Sequence, residues 1–236
     1  MGGRGTIHAM PDSAPPPERN GRTTRLSRDV VLDTALSIAD TQGLERLTFR
    51  RLADALGVTP MALYRHVENK QDLLLSLLEH VIARYRVTDH TSGHWRDWTV
   101  TAVVRMRDAL VRHPGILPLL GTIASAGPAA LAVTDRVLGE LTRAGLDIET
   151  AARTFYALIS YMIGSVTLET GARLHQRQFG NEGEGWQEIG TQALLTLPLD
   201  QYPNLVAAAP SLAVLPDRAQ FEAGLRAILD GIAPTP

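Results

Sequence analysis

The sequence predicts an all-α fold with a small N-terminal domain and a larger C-terminal domain. Apolar residues recur at helical spacing along most of the chain after residue 26. Residues that favour helix N-termini precede several of these stretches, and glycines follow them. No stretch shows the convincing apolar–polar alternation of a half-buried strand. The composition, with 44% hydrophobic and 20% charged residues and a net charge of -2, is ordinary for a soluble globular protein of 236 residues.

Residues 1–26 predict a disordered arm. Pro, Gly and Arg are frequent in this segment, and it lacks the apolar centre of a secretory signal. The chain has no cysteine, which excludes disulfides and cysteine-based zinc sites and fits a reducing compartment. No run approaches about 18 uninterrupted apolar residues, so no membrane span is expected. We therefore expect a cytoplasmic protein.

The next 60 residues predict four helices with very short connections. Ser27 is suited to cap the first helix, and Gly43 to end it. Thr48 opens the second helix, FRRLADAL, which stops at Gly57. Thr59 and Pro60 are a favourable start for a third helix.

We place this third helix at residues 60–67, and a longer helix follows from Asn69. The second and third helices are joined by a tight turn, with Leu63 and Val67 expected to anchor the third helix inward. Two short helices joined in this way form a helix-turn-helix. Residues 27–72 are thus predicted to be a three-helix helix-turn-helix domain.

Residues 73–236 predict the larger helical domain. Its expected helices after the one that starts at Asn69 are 95–113, 128–144, 148–176, 187–197 and 218–231. Residues 180–185 predict a loop, and prolines are expected to break up residues 198–216. The helix from residue 148 is apolar nearly all round between Phe155 and Leu168, which suggests a subunit interface.

Several stretches resemble the TetR (tetracycline repressor) family of bacterial transcription regulators. The N-terminal stretches are LTFRRLADALGV, the following Thr-Pro pair and LYRHVENK, at the spacing of the family's DNA-binding domain. The C-terminal stretches LVRHPGILPLLGT, LTRAGLD, LISYMIGSVTLE and FEAGLRAILDGIA are similar to the family's tetracycline-repressor-type domain, which serves dimerisation and ligand binding.

The resemblance implies a ligand-responsive repressor that binds a palindromic operator in double-stranded DNA as a homodimer and is released by a small-molecule effector of unknown identity. It implies an interface made from residues 150–169 and 218–231, paired as a four-helix bundle. No cofactor and no catalytic constellation is expected, so we do not predict an enzyme. Two alternatives stay open: an activator or effector-independent regulator of the same fold, and a helical ligand-binding protein or enzyme.

The resemblance also assigns DNA-binding positions. They are Arg50, Thr59, Pro60, Met61, Ala62, Tyr64, Arg65, His66 and Lys70. Arg50 matches a position that reaches a guanine edge, while Tyr64, His66 and Lys70 match phosphate-contacting positions. Met61 and Ala62 can contact thymine methyl groups but cannot form bidentate hydrogen bonds with guanine or adenine. Direct readout is therefore expected to depend on Arg50, Thr59 and Arg65. The arginines of the arm, with Arg28, either contact DNA or are solvated.

Ligand-site positions depart from the tetracycline repressor. Leu119 stands where the family has a magnesium-binding histidine, and Arg86 where it has a drug-contacting histidine, so a magnesium–tetracycline effector is not expected. The family's acidic metal-linked position falls on Leu168 or Glu169. Candidate ligand-binding residues are Arg86, Met106, Leu119, Phe155, Tyr156, Ser160, Met162 and Trp186. Core or dimer packing is the alternative for each of them, and no metal site is predicted.

Overall fold

The computed structural model describes residues 26–89, 91, 93–120, 127–178, 185–212 and 217–232, and among these the side chains of 174–178 and 185–189 are not described. Helices are the only regular elements in these ranges, which confirms the predicted all-α class. They are α1 (Arg28–Gln42), α2 (Phe49–Leu56), α3 (Pro60–Leu63), α4 (Lys70–Tyr85), α5 (Trp95–Arg112), α6 (Leu117–Leu120), α7 (Pro128–Arg143), α8 (Ile148–Gln178), α9 (Gly185–Leu195), α10 (Pro203–Leu212) and α11 (Arg218–Asp230). Short 3₁₀ turns cover Leu44–Arg46 and Pro114–Ile116. The predicted arm, apart from Leu26, and the loop before Gly185 lie outside the described residues.

Side-chain caps begin three of the first four helices as predicted. The Ser27 hydroxyl accepts a hydrogen bond from the backbone N–H of Val30, and Thr48 and Asn69 do the same at the starts of α2 and α4. Each cap satisfies a backbone donor that the helix itself leaves without a partner. Helix α1 packs against α2 and α4, and α2 packs against α3, so the helices up to α4 form one cluster.

Helix α4 joins the N-terminal helices to the C-terminal ones. It packs against α1 on one side and against α5, α6 and α7 on the other, and the larger of two apolar clusters runs from Val31 through Leu77 to Phe221. The predicted domain boundary after residue 72 therefore falls within α4.

The end of α1 is fixed to the segment after α5. The Asp40 carboxylate accepts a hydrogen bond from the backbone N–H of Gly115 (3.0 Å) and contacts His113 Nδ1 at 2.7 Å. A Cβ at Gly115 would lie 2.3 Å from the backbone carbonyl carbon of Ala39, so only glycine permits this approach. The N-terminal cluster is thus held against the larger domain at α4 and at this second point.

Three sequence predictions about local structure are wrong, and two of them concern the third helix. The third helix ends at Leu63 and not at residue 67, because the backbone N–H of His66 bonds to the Leu63 carbonyl (2.8 Å) in a tight turn. The Thr59 side chain makes no capping bond, although its backbone carbonyl accepts from Ala62 N–H at 3.0 Å.

The third error concerns residues 198–216, which contain the helix α10 and are not merely broken by prolines. Pro203 occupies the first position of α10, where a missing N–H costs nothing. Pro210 lies in its last turn, so little of the helix is lost. Helix α10 packs against α9.

The larger domain is built around α5, α7, α8 and α11. Helix α8 packs against α5, α7 and α11, and one of its faces is left exposed in the single chain. No helix in the described ranges is long and apolar enough to cross a membrane.

Candidate DNA-binding surface and effector cavity

The turn between α2 and α3 holds α3 outward. Gly57 adopts the left-handed conformation (φ 66°, ψ 31°) that glycine accepts without strain, and the backbone N–H of Val58 bonds to the Ala53 carbonyl at 3.0 Å. Leu63 and Val67 are fully buried beneath α3. These two side chains anchor residues 59–67, called the α3 segment from here on. Its other residues are exposed, except that Ala62 and His66 are partly buried.

The α3 segment carries seven of the nine predicted DNA-binding residues, and its large exposed hydrophobic side chains are Met61 and Tyr64. Met61 is 74% exposed and Tyr64 is 52% exposed, although both are large apolar or aromatic side chains. The ring of Tyr64 stacks on that of Phe49, with centroids 4.8 Å apart and planes inclined by 16°. Stacking of this kind fixes the direction of a side chain. The Tyr64 hydroxyl is therefore presented at a defined place while it stays accessible.

Most basic side chains in the described part of the N-terminal cluster form no ion pair, Arg28 being one exception. In the described part of the N-terminal cluster, five basic residues form no salt bridge: Arg46, Arg50, Arg51, Arg65 and Lys70. By contrast, many arginines of the larger domain are paired, among them Arg107, Arg136 and Arg218. Unpaired cations can neutralise phosphates without first breaking an internal contact. The formal net charge of -2 does not reveal this difference between the unpaired cations of the N-terminal cluster and the paired ones of the larger domain.

Arg28 has a structural role that the sequence did not indicate. Its guanidinium donates to the backbone carbonyl of His66 (2.8 Å) and to the Ser76 hydroxyl (2.6 Å), and it lies 3.8 Å from the Asp72 carboxylate. Arg28 thus connects the start of α1 to the end of the α3 segment and to α4. Arg19, Arg22 and Arg25, the other arginines predicted to contact DNA from the arm, lie outside the described residues.

A cavity of about 150 Å³ lies in the larger domain. Its walls come from α4, α5, α6, α7 and α8, and α4 contributes Leu78 and Ile82. Between these two residues, the Glu79 carboxylate accepts hydrogen bonds from the backbone N–H groups of Ala129 and Ala130 at the start of α7. The helix that begins at Lys70 is therefore both a wall of the cavity and a partner of the facing wall.

Three of the predicted ligand-binding residues line this cavity, namely Met106, Phe155 and Met162. Four others do not. Leu119 is buried in the core beside it, and Arg86 forms an ion pair with Asp89 (2.8 Å) at the exposed end of α4. Tyr156 and Ser160 lie on the opposite, exposed face of α8. The side chain of Trp186 lies outside the described part.

The cavity walls also include residues that the sequence did not single out as candidates for ligand binding. They include Val103, Leu120, Val133, Thr134, Val137 and Ile159. Their apolar stripes on α5 and α7 are also what a core helix requires, so periodicity alone did not separate the two roles.

The acidic position on α8 does not fit a drug-bound magnesium ion. Glu169 is buried, and its two carboxylate oxygens are taken by Arg107 and by Arg173, the latter at 2.6 Å. Leu168 is exposed and offers no ligand atom. With Leu119 in place of the family's histidine as well, the described residues lack the donor set that such a metal needs.

The outward-facing α3 and the cavity in the larger domain together define a helix-turn-helix transcription regulator with a helical regulatory domain. Residues 31–77 match the family model of the bacterial regulatory proteins of the tetR family, and residues 88–235 match that of the tetracyclin repressor-like C-terminal domain. The chain belongs to the TetR family of transcription regulators. Its relatives are regulators and not enzymes.

Among curated proteins, the chain is 31% identical over 228 residues to an HTH-type transcriptional regulator of Saccharopolyspora erythraea, covering 93% of this chain and 90% of that one. It is 30% identical to the HTH-type transcriptional repressor DrrR1 of Streptomyces coeruleorubidus, with 96% and 84% covered. It is 27% identical to the class A tetracycline repressor of transposon 1721 from Escherichia coli, with 89% and 92% covered.

Solved structures of TetR family regulators have the same fold as this chain. A possible TetR family regulator from Streptomyces coelicolor superposes with a TM-score of 0.70 at 32% identity, covering 87% of this chain and 98% of that one. ActR from Streptomyces coelicolor, in complex with actinorhodin, superposes with a TM-score of 0.69 at 26% identity, covering 87% and 96%.

Proposed function

We propose that this chain is a transcriptional repressor that binds a palindromic operator as a homodimer and is released by a small-molecule effector. The observation that carries the proposal is the exposed α3 segment, together with the five described basic residues of the N-terminal cluster that form no ion pair. Operator binding requires access to the chromosome, so we propose that the protein acts in the cytoplasm.

The proposed contacts with DNA divide into two groups. Arg50 on α2, and Thr59, Pro60, Met61, Ala62 and Arg65 in the α3 segment, face the base edges of the major groove. Tyr64, His66 and Lys70 contact phosphates, and Lys70 does so at the start of α4, where backbone N–H groups also favour an anion. The exposure of Met61 and the positioned ring of Tyr64 support this division.

The proposed homodimer uses the exposed face of α8. Its exposed residues recur every three or four positions, as in a helix packed on a partner. They include Arg153, Tyr156, Ala157, Ser160, Gly164, Thr167, Leu168 and Gly171. Helix α11 presents Ala219, Ala223 and Ala227 on a similar exposed face. Apart from the charged Arg153, these small, apolar or aromatic residues suit a four-helix bundle with the same helices of a second copy, and the two-fold axis then sets two α3 segments about 34 Å apart.

Effector binding is proposed to act through α4. A ligand in the cavity would contact Leu78 and Ile82 on the helix that begins at the phosphate-contacting Lys70. A ligand shifts operator affinity only if it binds the DNA-bound and free conformations unequally. The actinorhodin complex of ActR and the repressor DrrR1 support an effector-controlled repressor. Magnesium–tetracycline is not proposed, because Glu169 is held by two arginines.

Footprinting of the DNA upstream of the gene tests the proposal. We expect two symmetric protected half-sites about one helical turn apart, and a gel-shift affinity on this DNA well above that on unrelated DNA. Equal affinity for both DNAs would overturn the proposal. A reporter assay with and without the gene completes the test, since higher expression in its absence is expected of a repressor and lower expression would indicate an activator.

A further inference from the structure

The described lining of the cavity is almost entirely apolar. Among the described residues that line it, Thr134 is the one with a polar side chain, and none carries a titratable group. The Thr134 hydroxyl donates a hydrogen bond to the Ala130 carbonyl of its own helix at 2.9 Å. The described wall therefore offers no free side-chain donor.

The backbone donors nearest the cavity are also occupied. Helix α7 starts with Pro128, which has no N–H, and the next two N–H groups bond to the Glu79 carboxylate at 2.6 and 3.1 Å. The N–H of Leu131 bonds to the Gly127 carbonyl at 3.0 Å. This helix start therefore does not provide the anion site that a free N-terminus would. Among the described lining residues, an anion would find no free donor for its desolvated charge, and a cation would meet no acidic side chain.

Three lining residues favour an aromatic occupant. Phe155 offers a ring for stacking or edge contact, and the thioethers of Met106 and Met162 make favourable contacts with ring edges while adapting to shape. An apolar cavity of about 150 Å³ accepts a ring of benzene size.

We infer that the effector places an uncharged, apolar aromatic ring in this cavity. The inference rests on the proposed role of this domain in effector binding. It adds the chemical class of that part of the effector which lies between α4, α7 and α8. Any charged group of the effector lies outside these walls.

NMR of the protein labelled with ¹³C-methyl methionine tests the inference. Met106 and Met162 report on the cavity, while the exposed Met61 on α3 is a remote reporter in the same spectrum. The probes are ethylbenzene, phenylacetate and benzylamine, which share one ring and differ in charge. Ethylbenzene is expected to shift the two cavity resonances and not that of Met61, with at least a tenfold lower Kd than either charged probe. Equal or tighter binding of phenylacetate or benzylamine, or no shift of either cavity resonance with ethylbenzene, would overturn the inference.

Two variants locate the binding. Val133→Phe on α7 fills part of the cavity with a larger side chain and is expected to abolish the response to ethylbenzene. Thr134→Val removes the hydroxyl at nearly constant volume and is expected to leave the ethylbenzene Kd within twofold. A tenfold loss in Thr134→Val would show that the hydroxyl is essential and would contradict an apolar mode of binding, even if Val133→Phe fails to fold.

Operator binding measured on the same samples separates this inference from the proposed function. A protein that binds its operator but shows no ethylbenzene response refutes the ligand class alone. A normal ethylbenzene response without any operator binding refutes the repressor function alone.

Discussion

The Glu79 carboxylate on α4 accepts a hydrogen bond from the backbone N–H of Ala129 on α7 at 2.6 Å, and its other oxygen accepts from Ala130 at 3.1 Å. A negative charge thus lies at the positive end of α7 and satisfies two donors that the helix leaves without partners. Gly127 allows the approach, because a Cβ there would lie 2.6 Å from the Glu79 carboxyl carbon. The contact fixes the distance between two walls of the cavity.

Replacing Glu79 is expected to loosen this junction. Glu79→Ala should lower the free energy of unfolding by about 1–3 kcal/mol, because it leaves two partly buried N–H groups without an acceptor. Glu79→Gln should lose less, since it keeps one acceptor oxygen. Urea denaturation measures both. Asp135→Ala is the control: this exposed carboxylate on α7 has no ion pair among the described residues, and its removal should change stability by less than about 0.5 kcal/mol. Equal losses in Glu79→Ala and Asp135→Ala would contradict a role for the contact.

Arg28 and Lys70 are both basic residues near α3, but they should respond differently to salt. Arg28 is bound to the His66 carbonyl and the Ser76 hydroxyl, so Arg28→Ala should weaken operator binding only by loosening the α3 segment. The slope of log K against log salt should stay unchanged. Lys70→Ala removes a proposed phosphate contact and should reduce the magnitude of that slope by about 0.9 per half-site. Anisotropy titrations at several salt concentrations measure the slope, and a reduced slope in Arg28→Ala would reclassify Arg28 as a phosphate ligand.

Tyr64 combines a proposed phosphate contact with the stack on Phe49. Tyr64→Phe keeps the ring and removes the hydroxyl, so affinity should fall by about 0.5–1.5 kcal/mol on operator and unrelated DNA alike. Protein stability should not change, whereas Tyr64→Ala should lower it as well, because the stacking is lost. Gel shift and thermal unfolding measure the two effects. Full DNA affinity in Tyr64→Phe would remove this residue from the proposed interface.

Arg50 is proposed to read a base, and its loss should therefore change specificity. Arg50→Ala is expected to reduce discrimination at one base pair of each half-site by about 1–3 kcal/mol. Binding to a set of operators with single base changes measures this. Arg51→Ala is the matched control, since Arg51 is the neighbouring exposed arginine without an ion pair in the described N-terminal cluster. Unchanged discrimination in Arg50→Ala would count against base readout at this position.

Leu168 tests the proposed dimer. Its side chain is 67% exposed in the single chain and lies on the α8 face that would meet a second copy. Leu168→Glu would place two charges in that interface and is expected to yield monomers in sedimentation velocity, with loss of operator binding. Leu131→Glu on α7 is the control, because Leu131 is similarly exposed (58%) but lies outside the proposed interface. A dimer of unchanged stability in Leu168→Glu would exclude this face as the interface.

The sequence predicted the helices well because their ends are set by local chemistry. The caps at Ser27, Thr48 and Asn69 and the helix ends at Gly43 and Gly57 depend on residues within one turn of each other. The errors have local causes as well. Thr59 and Pro60 resemble a strong helix start, yet the turn after Leu63 ends that helix within four residues. The prolines of α10 stand at its first position and in its last turn, where they are tolerated.

The site depended on contacts that sequence spacing cannot supply. On α8, Phe155 and Met162 are two turns apart and line the cavity, whereas Tyr156 and Ser160 lie on the opposite face. In a helix that is apolar all round, no periodicity distinguishes these faces. The pairing of Arg28 with His66 and of Glu79 with Ala129 joins residues 38 and 50 positions apart. The sequence alone determined most of the helices and the start of the outward α3 segment, because these follow from neighbouring residues. Only the tertiary structure decided which cations are free and which side chains enclose a cavity, because both depend on how separate helices pack together.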